Sequence, residues 1–97
     1  MTIEKLLEIG KNCEVFGRHP DGQPYTHGEG TIEKAWSEGE AAKKRNLIGF
    51  TFRDQTGCAW IFPGAERWEE EDDQVVGYYM SALWKCEGSV SIRRVAS

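Results

Sequence analysis

Two histidines and two carboxylates lie at regular spacing in one short segment of the chain. His19 precedes Asp21 by two positions, and His27 precedes Glu29 by two positions. In an extended hairpin, residues two apart share a face, and the two histidines become diagonal neighbours. Imidazole and carboxylate groups bind zinc, iron or manganese, and both act as general acids or bases. These residues form a candidate metal or catalytic site, although H-x-D and H-x-E match no established metal spacing.

A second candidate site is an acidic segment beside a tryptophan. Trp68 precedes a run of carboxylates made up of Glu69, Glu70, Glu71, Asp72 and Asp73. Such a run would complement a basic surface on another protein, although it also suits the positive end of a helix. Partly exposed tryptophans are common interface anchors, and Trp36 and Trp68 both lie beside polar runs. We therefore predict that these tryptophans and the acidic run form a partner-binding surface.

The chain lacks the short motifs of common nucleotide-binding and hydrolytic sites, including G-x-S-x-G, G-x-G-x-x-G, the Walker loop and H-E-x-x-H. Three cysteines, at positions 13, 58 and 86, are an odd number at wide spacing, which fits neither a disulfide framework nor a metal-binding pair. We expect reduced thiols that pack as small apolar groups. The formal net charge of −4 argues against general nucleic-acid binding, which depends on clustered Lys and Arg.

Patterns in the N-terminal third place the histidines in a connection between elements. Thr2 is a suitable N-cap for a helix at 3–9, where apolar residues recur on one face. Alternating apolar residues predict a short strand at 12–17. From 18 to 30, prolines and glycines interrupt the pattern repeatedly, which predicts a loop or an irregular hairpin.

The clearest strand signal lies in the middle of the chain. Residues 47–53 are rich in β-branched and aromatic side chains, turn residues follow at 54–57, and apolar residues alternate again up to position 62. This pattern predicts a β-hairpin over 47–62. If they share a face, four aromatic side chains would lie within cross-strand reach: Phe50, Phe52, Trp60 and Phe62.

Two further segments show the apolar spacing of helices. One covers residues 31–45. The other covers 72–87 and begins within the acidic run. A final strand is predicted at 90–93. An alternative for the first segment stays open. The glycines before it also fit a tight turn that is followed by a strand at 29–36.

These elements predict a single domain of the α+β class over residues 1–97. Its sheet would have three or four antiparallel strands centred on the hairpin, with two or three helices packed on one face. The alternative is a small SH3-like β-barrel, with a strand at 29–36 and a C-terminal helix.

The sequence favours a small acidic, non-catalytic binding protein that regulates or inhibits a macromolecular partner. That partner would be another protein with a basic surface, including one that itself handles nucleic acid. The alternative is a small ligand-binding protein or metal-dependent enzyme that uses the loop around His19 and His27. We assign no catalytic residue, metal or cofactor, and homodimerisation through the final strand stays open.

The remaining expectation concerns location. The N-terminal segment does not resemble a signal peptide, because its first residues are amphipathic and acidic. Uncharged apolar runs fall far short of the roughly 20 residues that span a bilayer. We therefore expect a cytoplasmic protein without a membrane partner.

Overall fold

The computed structural model describes residues 1–37, 47–65, 67–81 and 86–95. Over these ranges the chain forms one short helix and a sheet of seven strands. All the strand pairs are antiparallel, and the strand order is β4-β3-β2-β1-β7-β6-β5. In chain order the elements are α1 (Ile3–Ile9), β1 (Cys13–Arg18), β2 (Pro24–Ser37), β3 (Ile48–Asp54), β4 (Ala59–Ala65), β5 (Arg67–Glu70), β6 (Gln74–Ser81) and β7 (Cys86–Arg94).

The predicted N-terminal helix is confirmed as α1. The hydroxyl of Thr2 accepts a hydrogen bond at 3.1 Å from a backbone N–H of the first turn, as an N-cap does. At the other end, the carbonyl of Gly10 accepts a hydrogen bond at 2.8 Å from the N–H of Ile32 in β2. Leu6 and Ile9 are fully buried, so α1 covers one end of the core. No helix in the described part of the chain is long and apolar enough to cross a membrane.

The core lies inside the curved sheet. The central strands β1 and β7 contribute the buried side chains of Cys13, Val15, Val90 and Ile92. Phe50 and Phe52 of β3 are also fully buried. Burial of a large apolar side chain contributes about 1.5 to 3 kcal/mol, so these strands make a large contribution to the stability of the fold.

The sheet curls until its two ends meet. β4 and β5 lie at opposite ends of the strand order, although only position 66 separates them in sequence. Tyr79 of β6 donates its hydroxyl to the carbonyl of Pro63 in β4 at 2.9 Å. A Cβ at Gly77 of β6 would lie 2.8 Å from the Cβ of Ala65 in β4. We call this line of contact between β4 and β6 the seam.

The predicted α+β class, with three or four strands and two or three helices, is wrong. The helix predicted over 72–87 is replaced by β6 and the start of β7, while 82–85 lie outside the described residues. Val75 and Tyr79 are four positions apart, which fits one helical face, but residues four apart also share a strand face. The β-branched and aromatic residues around Gly77 favour the strand. The C-terminal helix of the alternative barrel is wrong for the same reason.

The helix predicted over 31–45 is also wrong in its described part. Residues 31–37 belong to β2, as the alternative strand at 29–36 predicted, and 38–45 lie outside the described residues. The pairing of β2 with β3 shifts register between Ile32 and Lys34. This bulge puts Ile32 and Ala35 on the same inward face, so residues three apart imitate helical spacing.

The hairpin predicted over 47–62 is confirmed by β3 and β4. Phe50 lies opposite Phe62, and Phe52 lies opposite Trp60. The predicted strands at 12–17 and 90–93 are present within β1 and β7. Residues 89–93 of β7 pair with both β1 and β6.

Candidate functional site: an aromatic pocket

The candidate site lies at the end of the sheet opposite α1. β1 runs from Cys13, whose thiol contacts the carbonyl of Gly10 after α1, to Arg18 at the opposite end. At a rise of about 3.3 Å per residue, these ends are about 16 Å apart. Beside Arg18 lies a cavity of about 260 Å³, which we call the aromatic pocket. Its rings come from His19, Tyr25, His27, Phe62 and Tyr79.

A tight turn between β1 and β2 positions His19 at the rim of the pocket. The backbone N–H of His19 donates to the carbonyl of Gln23 at 2.9 Å, and the N–H of Gly22 donates to the carbonyl of His19 at 2.9 Å. Gly22 has a φ of 93°, a left-handed conformation that glycine adopts without strain. The carboxylate of Asp21 accepts from the N–H of Gln23, and the guanidinium of Arg18 donates to the carbonyl of Gly22. The turn is therefore held by both backbone and side-chain hydrogen bonds.

Histidine and aromatic rings form a continuous row along the pocket. The Tyr25 ring lies between the two imidazoles, with its centroid 4.7 Å from that of His19 and 5.4 Å from that of His27. The His27 ring also contacts Trp60 at 4.4 Å and packs edge-on against Phe62 at 5.4 Å. Neighbouring rings in this row are tilted against one another by 33° to 83°. Such rings bury large apolar areas at low entropic cost.

A β-bulge in β2 directs His27 into this row. Thr26 pairs with Phe16 of β1 and Gly28 pairs with Val15, so the ladder between these strands leaves out His27. Gly28 has a φ of 75°, a conformation found in many bulges. Bulges commonly re-aim a side chain beside a binding site, and here the re-aimed side chain is an imidazole.

Asp54, at the β3–β4 turn, fixes the indole that packs against His27. Its Oδ1 accepts from the backbone N–H groups of Thr56 and Cys58 at 2.9 and 3.0 Å. Its Oδ2 accepts from the indole N–H of Trp60 at 2.9 Å. The hydroxyl of Thr56 also donates to Oδ1, at 2.6 Å. This side-chain bond, followed by the one from Trp60, lowers the pKa of Asp54 to about 2. The carboxylate is therefore ionised at neutral pH and holds Trp60 in place.

The two tyrosine hydroxyls of the pocket are engaged by backbone carbonyls. Tyr25 donates to the carbonyl of Ser89 in β7 at 2.7 Å, and Tyr79 donates to that of Pro63 at 2.9 Å. Burial raises the pKa of Tyr25 to about 12, so its phenol stays neutral. These bonds fix the orientation of both rings and leave the walls largely apolar.

His27 is held in its neutral form. Burial lowers the pKa of its imidazole from the ordinary value of 6.5. The charge of Asp54 opposes this shift, and the neighbouring His19 adds to it. At neutral pH, His27 therefore supplies a flat ring with one donor and one acceptor nitrogen.

The predicted set of His19, Asp21, His27 and Glu29 does not converge on one point. The Tyr25 ring separates the two imidazoles, Asp21 closes the turn, and Glu29 is exposed further along β2. Among the residues described, no group of three or more His, Cys, Asp or Glu side chains is arranged to hold a metal ion. The two histidines nevertheless contribute to the same pocket.

The predicted acidic segment covers β5 and the turn that follows it. Glu69 and Glu70 lie in β5, and Glu71, Asp72 and Asp73 lie between β5 and β6. All five are exposed. The carboxylate of Glu70 contacts the N-terminal ammonium at 3.2 Å and the Lys5 ammonium at 4.0 Å, and Glu69 contacts Arg67 at 3.6 Å. Within the described ranges, no ion pair involves residues 71–73, and we call Glu71, Asp72 and Asp73 the acidic turn.

The two predicted tryptophan anchors lie in different strands. Trp68 of β5 is half-buried and packs against the core, and its indole N–H is buried without a hydrogen-bond partner among the described residues. Trp36 of β2 is half-buried beside β3, where a Cβ at Gly49 would lie 2.9 Å from the Trp36 ring. Trp68 thus adjoins the acidic segment through β5, and Trp36 belongs to another part of the strand order.

Sequence reasoning singled out His19 and His27 but missed the aromatic walls between and around them. Tyr25 lies two positions before His27, a spacing that places both on one face of a strand. The alternation of Trp60 and Phe62 in the predicted hairpin was a second available signal. Tyr79 had no such signal, because its approach to the pocket depends on the curl of the whole sheet.

No protein-family model, curated protein or solved structure matches the chain. The function must therefore be inferred from the aromatic pocket and the acidic turn.

Proposed function

We propose that the protein binds a small, planar and largely apolar molecule in the aromatic pocket. The observation that carries this proposal is the row of rings from His19 to Trp60 beside a cavity of about 260 Å³. An apolar cavity of about 150 Å³ accommodates one benzene ring. Pockets for drug-sized ligands begin at about 300 Å³. The size of the aromatic pocket therefore suits a molecule of one or two fused rings.

The hydrogen bonds around the pocket support a binding role. The hydroxyls of Tyr25 and Tyr79 make bonds that hold two walls in position, and the carboxylate of Asp54 holds the Trp60 indole against His27. Walls that are ordered before the ligand arrives reduce the entropy lost on binding. A preformed, mostly apolar cavity with few polar groups is typical of small-molecule sites.

The proposal is tested by titrating ¹⁵N-labelled protein with 2-naphthamide, an uncharged two-ring probe, and recording amide chemical shifts. With about 13 non-hydrogen atoms at roughly 0.3 to 0.4 kcal/mol each, the probe should bind with a dissociation constant of about 0.1 to 1 mM. The largest shift changes are expected at Tyr25, His27 and Ser89. Shift changes spread evenly over the surface, or none at all, would contradict the proposal.

Substitutions of His27 separate ring stacking from hydrogen bonding. An aromatic contact contributes about 0.5 to 1.5 kcal/mol beyond buried area, so His27→Ala should weaken binding of 2-naphthamide about two- to tenfold. His27→Phe keeps a ring and should retain most of the affinity. Phe16→Ala is the matched control, because Phe16 pairs with Thr26 on the other side of the bulge and packs under Arg93 instead of lining the pocket. Wild-type affinity in His27→Ala would overturn the proposal.

We propose, as a second candidate, that the acidic turn binds a basic surface on another protein, which the chain would regulate or inhibit. The observation in its favour is the exposure of Glu71, Asp72 and Asp73 beside β5, an end strand of the sheet. Carboxylates that form no ion pair within the described residues can bind a basic partner and speed its association.

The second candidate is tested by affinity capture from native lysate with the wild-type protein and two charge-reversed variants. Glu71→Lys with Asp72→Lys should lose a captured partner, because both changes invert the acidic turn. Glu4→Lys with Glu29→Lys changes the net charge equally at two other exposed positions and should retain it. Equal capture by the two double variants would remove the acidic turn as the contact.

We also propose a cytoplasmic location. Cys13 and Cys58 are free thiols, and Cys58 is exposed. Exposed free thiols are typical of reducing compartments, where disulfides rarely persist.

A further inference from the structure

Arg18 places a permanent positive charge at the aromatic pocket. Among the described residues that line the pocket, none is Asp or Glu, and His19 and His27 add imidazole nitrogens to the guanidinium of Arg18. The nearby carboxylates of Asp21 and Asp54 accept hydrogen bonds from the turn and from the Trp60 indole, and neither lines the pocket. The pocket therefore combines apolar walls with a basic rim.

We propose that the ligand is a planar aromatic or heteroaromatic carboxylate, with its rings against Tyr25 and His27 and its carboxylate at the rim beside Arg18 and His19. This inference rests on the binding function proposed above and adds the chemical class of the ligand. Arg18 donates from Nη1 to the carbonyl of Gly22, and a guanidinium has five N–H donors in total. Its planar fork suits a carboxylate, whose two oxygens accept parallel hydrogen bonds.

Other ligand classes fit this rim less well. A cationic ligand would gain from the aromatic faces but would be repelled by the fixed charge of Arg18. An uncharged ligand would gain the same ring contacts as a carboxylate but no charge-assisted hydrogen bond. Charge at the rim should therefore select among molecules that share the same ring system.

Three probes with one ring system test the inference: 2-naphthoate, 2-naphthamide and 2-naphthylmethylammonium. Titrations at pH 7 should show 2-naphthoate binding about tenfold more tightly than the amide, with the ammonium compound weakest. Raising the salt from about 50 to about 500 mM should reduce the preference for naphthoate, because salt screens the rim charges. Equal affinities for naphthoate and naphthamide would overturn the carboxylate class and leave the binding function intact. Failure of all three probes to bind would overturn both.

Substitutions of Arg18 and His19 test whether these rim residues cause the preference for naphthoate over naphthamide. Arg18→Gln should bring the affinity for naphthoate close to that for naphthamide. His19→Gln tests the rim without removing the Arg18 bond to Gly22, and it should reduce the preference about two- to threefold. Lys11→Gln removes one positive charge, as Arg18→Gln does, but at an exposed position near α1, and it should leave the preference unchanged. A wild-type preference for naphthoate in both rim variants would overturn the inference.

Discussion

At the scale of single residues, one carboxylate supports a wall of the aromatic pocket. Asp54 accepts hydrogen bonds from Thr56 and Cys58 in its own turn and from the indole of Trp60. The ring of Trp60 then packs against His27. A change at Asp54 should therefore affect both the stability of the β3–β4 turn and the position of the pocket wall.

We predict that the stabilisation from Asp54 is lost in acid. Its pKa in the folded protein is about 2, below the ordinary value of 3.8, because hydrogen bonds from Thr56 and Trp60 favour the ionised form. The contribution is complete above about pH 4 and disappears as the pH falls towards 2. Asp54→Asn should lower the thermal unfolding midpoint at pH 7, and its difference from wild type should shrink across this window. Circular dichroism melts between pH 2 and 7 measure both effects.

A matched control for this prediction is Asp72→Asn, which changes an exposed carboxylate in the acidic turn. It should leave the unfolding midpoint at pH 7 close to that of wild type. If the difference between Asp54→Asn and wild type stayed constant from pH 7 to pH 2, the stabilising role of the ionised carboxylate would be wrong.

At the scale of elements, the sequence predicted the helix and the strands that are determined by interactions between residues close together in the chain. The capped helix α1 and the β3–β4 hairpin were predictable, because Thr2 supplies the cap and alternating aromatic residues surround a turn. β2 was misread because its bulge separates Ile32 and Ala35 by three positions on one face. β6 was misread because the interval between Val75 and Tyr79 suits a helix as well as a strand.

Only part of the candidate site was predictable from the sequence. His19 and His27 stood out by residue type, and the intervening Pro-Asp-Gly sequence indicated a turn. Their expected juxtaposition failed because Tyr25 lies between the two rings. The contribution of Tyr79 depended on a strand that local spacing did not reveal, so the pocket could not be assembled from the sequence.

At the scale of the whole molecule, contacts between distant parts of the chain close the fold. Pairing of β1 with β7 places Cys13 opposite Arg94, and the seam joins β4 to β6. Long-range pairing of this kind is entropically demanding, and such proteins commonly fold in milliseconds to seconds. The curl also places Tyr79 in the wall of the pocket, so closure of the sheet and formation of the site are coupled.

We predict that Gly77→Ala destabilises the protein, although alanine in an ordinary strand is favoured over glycine by about 0.5 to 1 kcal/mol. The added Cβ would lie 2.8 Å from Ala65 and 3.0 Å from the Trp68 ring, so the seam must widen. Overpacking of this kind typically lowers the free energy of unfolding by about 1 to 3 kcal/mol. Urea unfolding measures the change. The strand preference for alanine would stabilise the variant, whereas overpacking at the seam would destabilise it. A stabilised Gly77→Ala variant would therefore show that the two ends of the sheet are not in close contact.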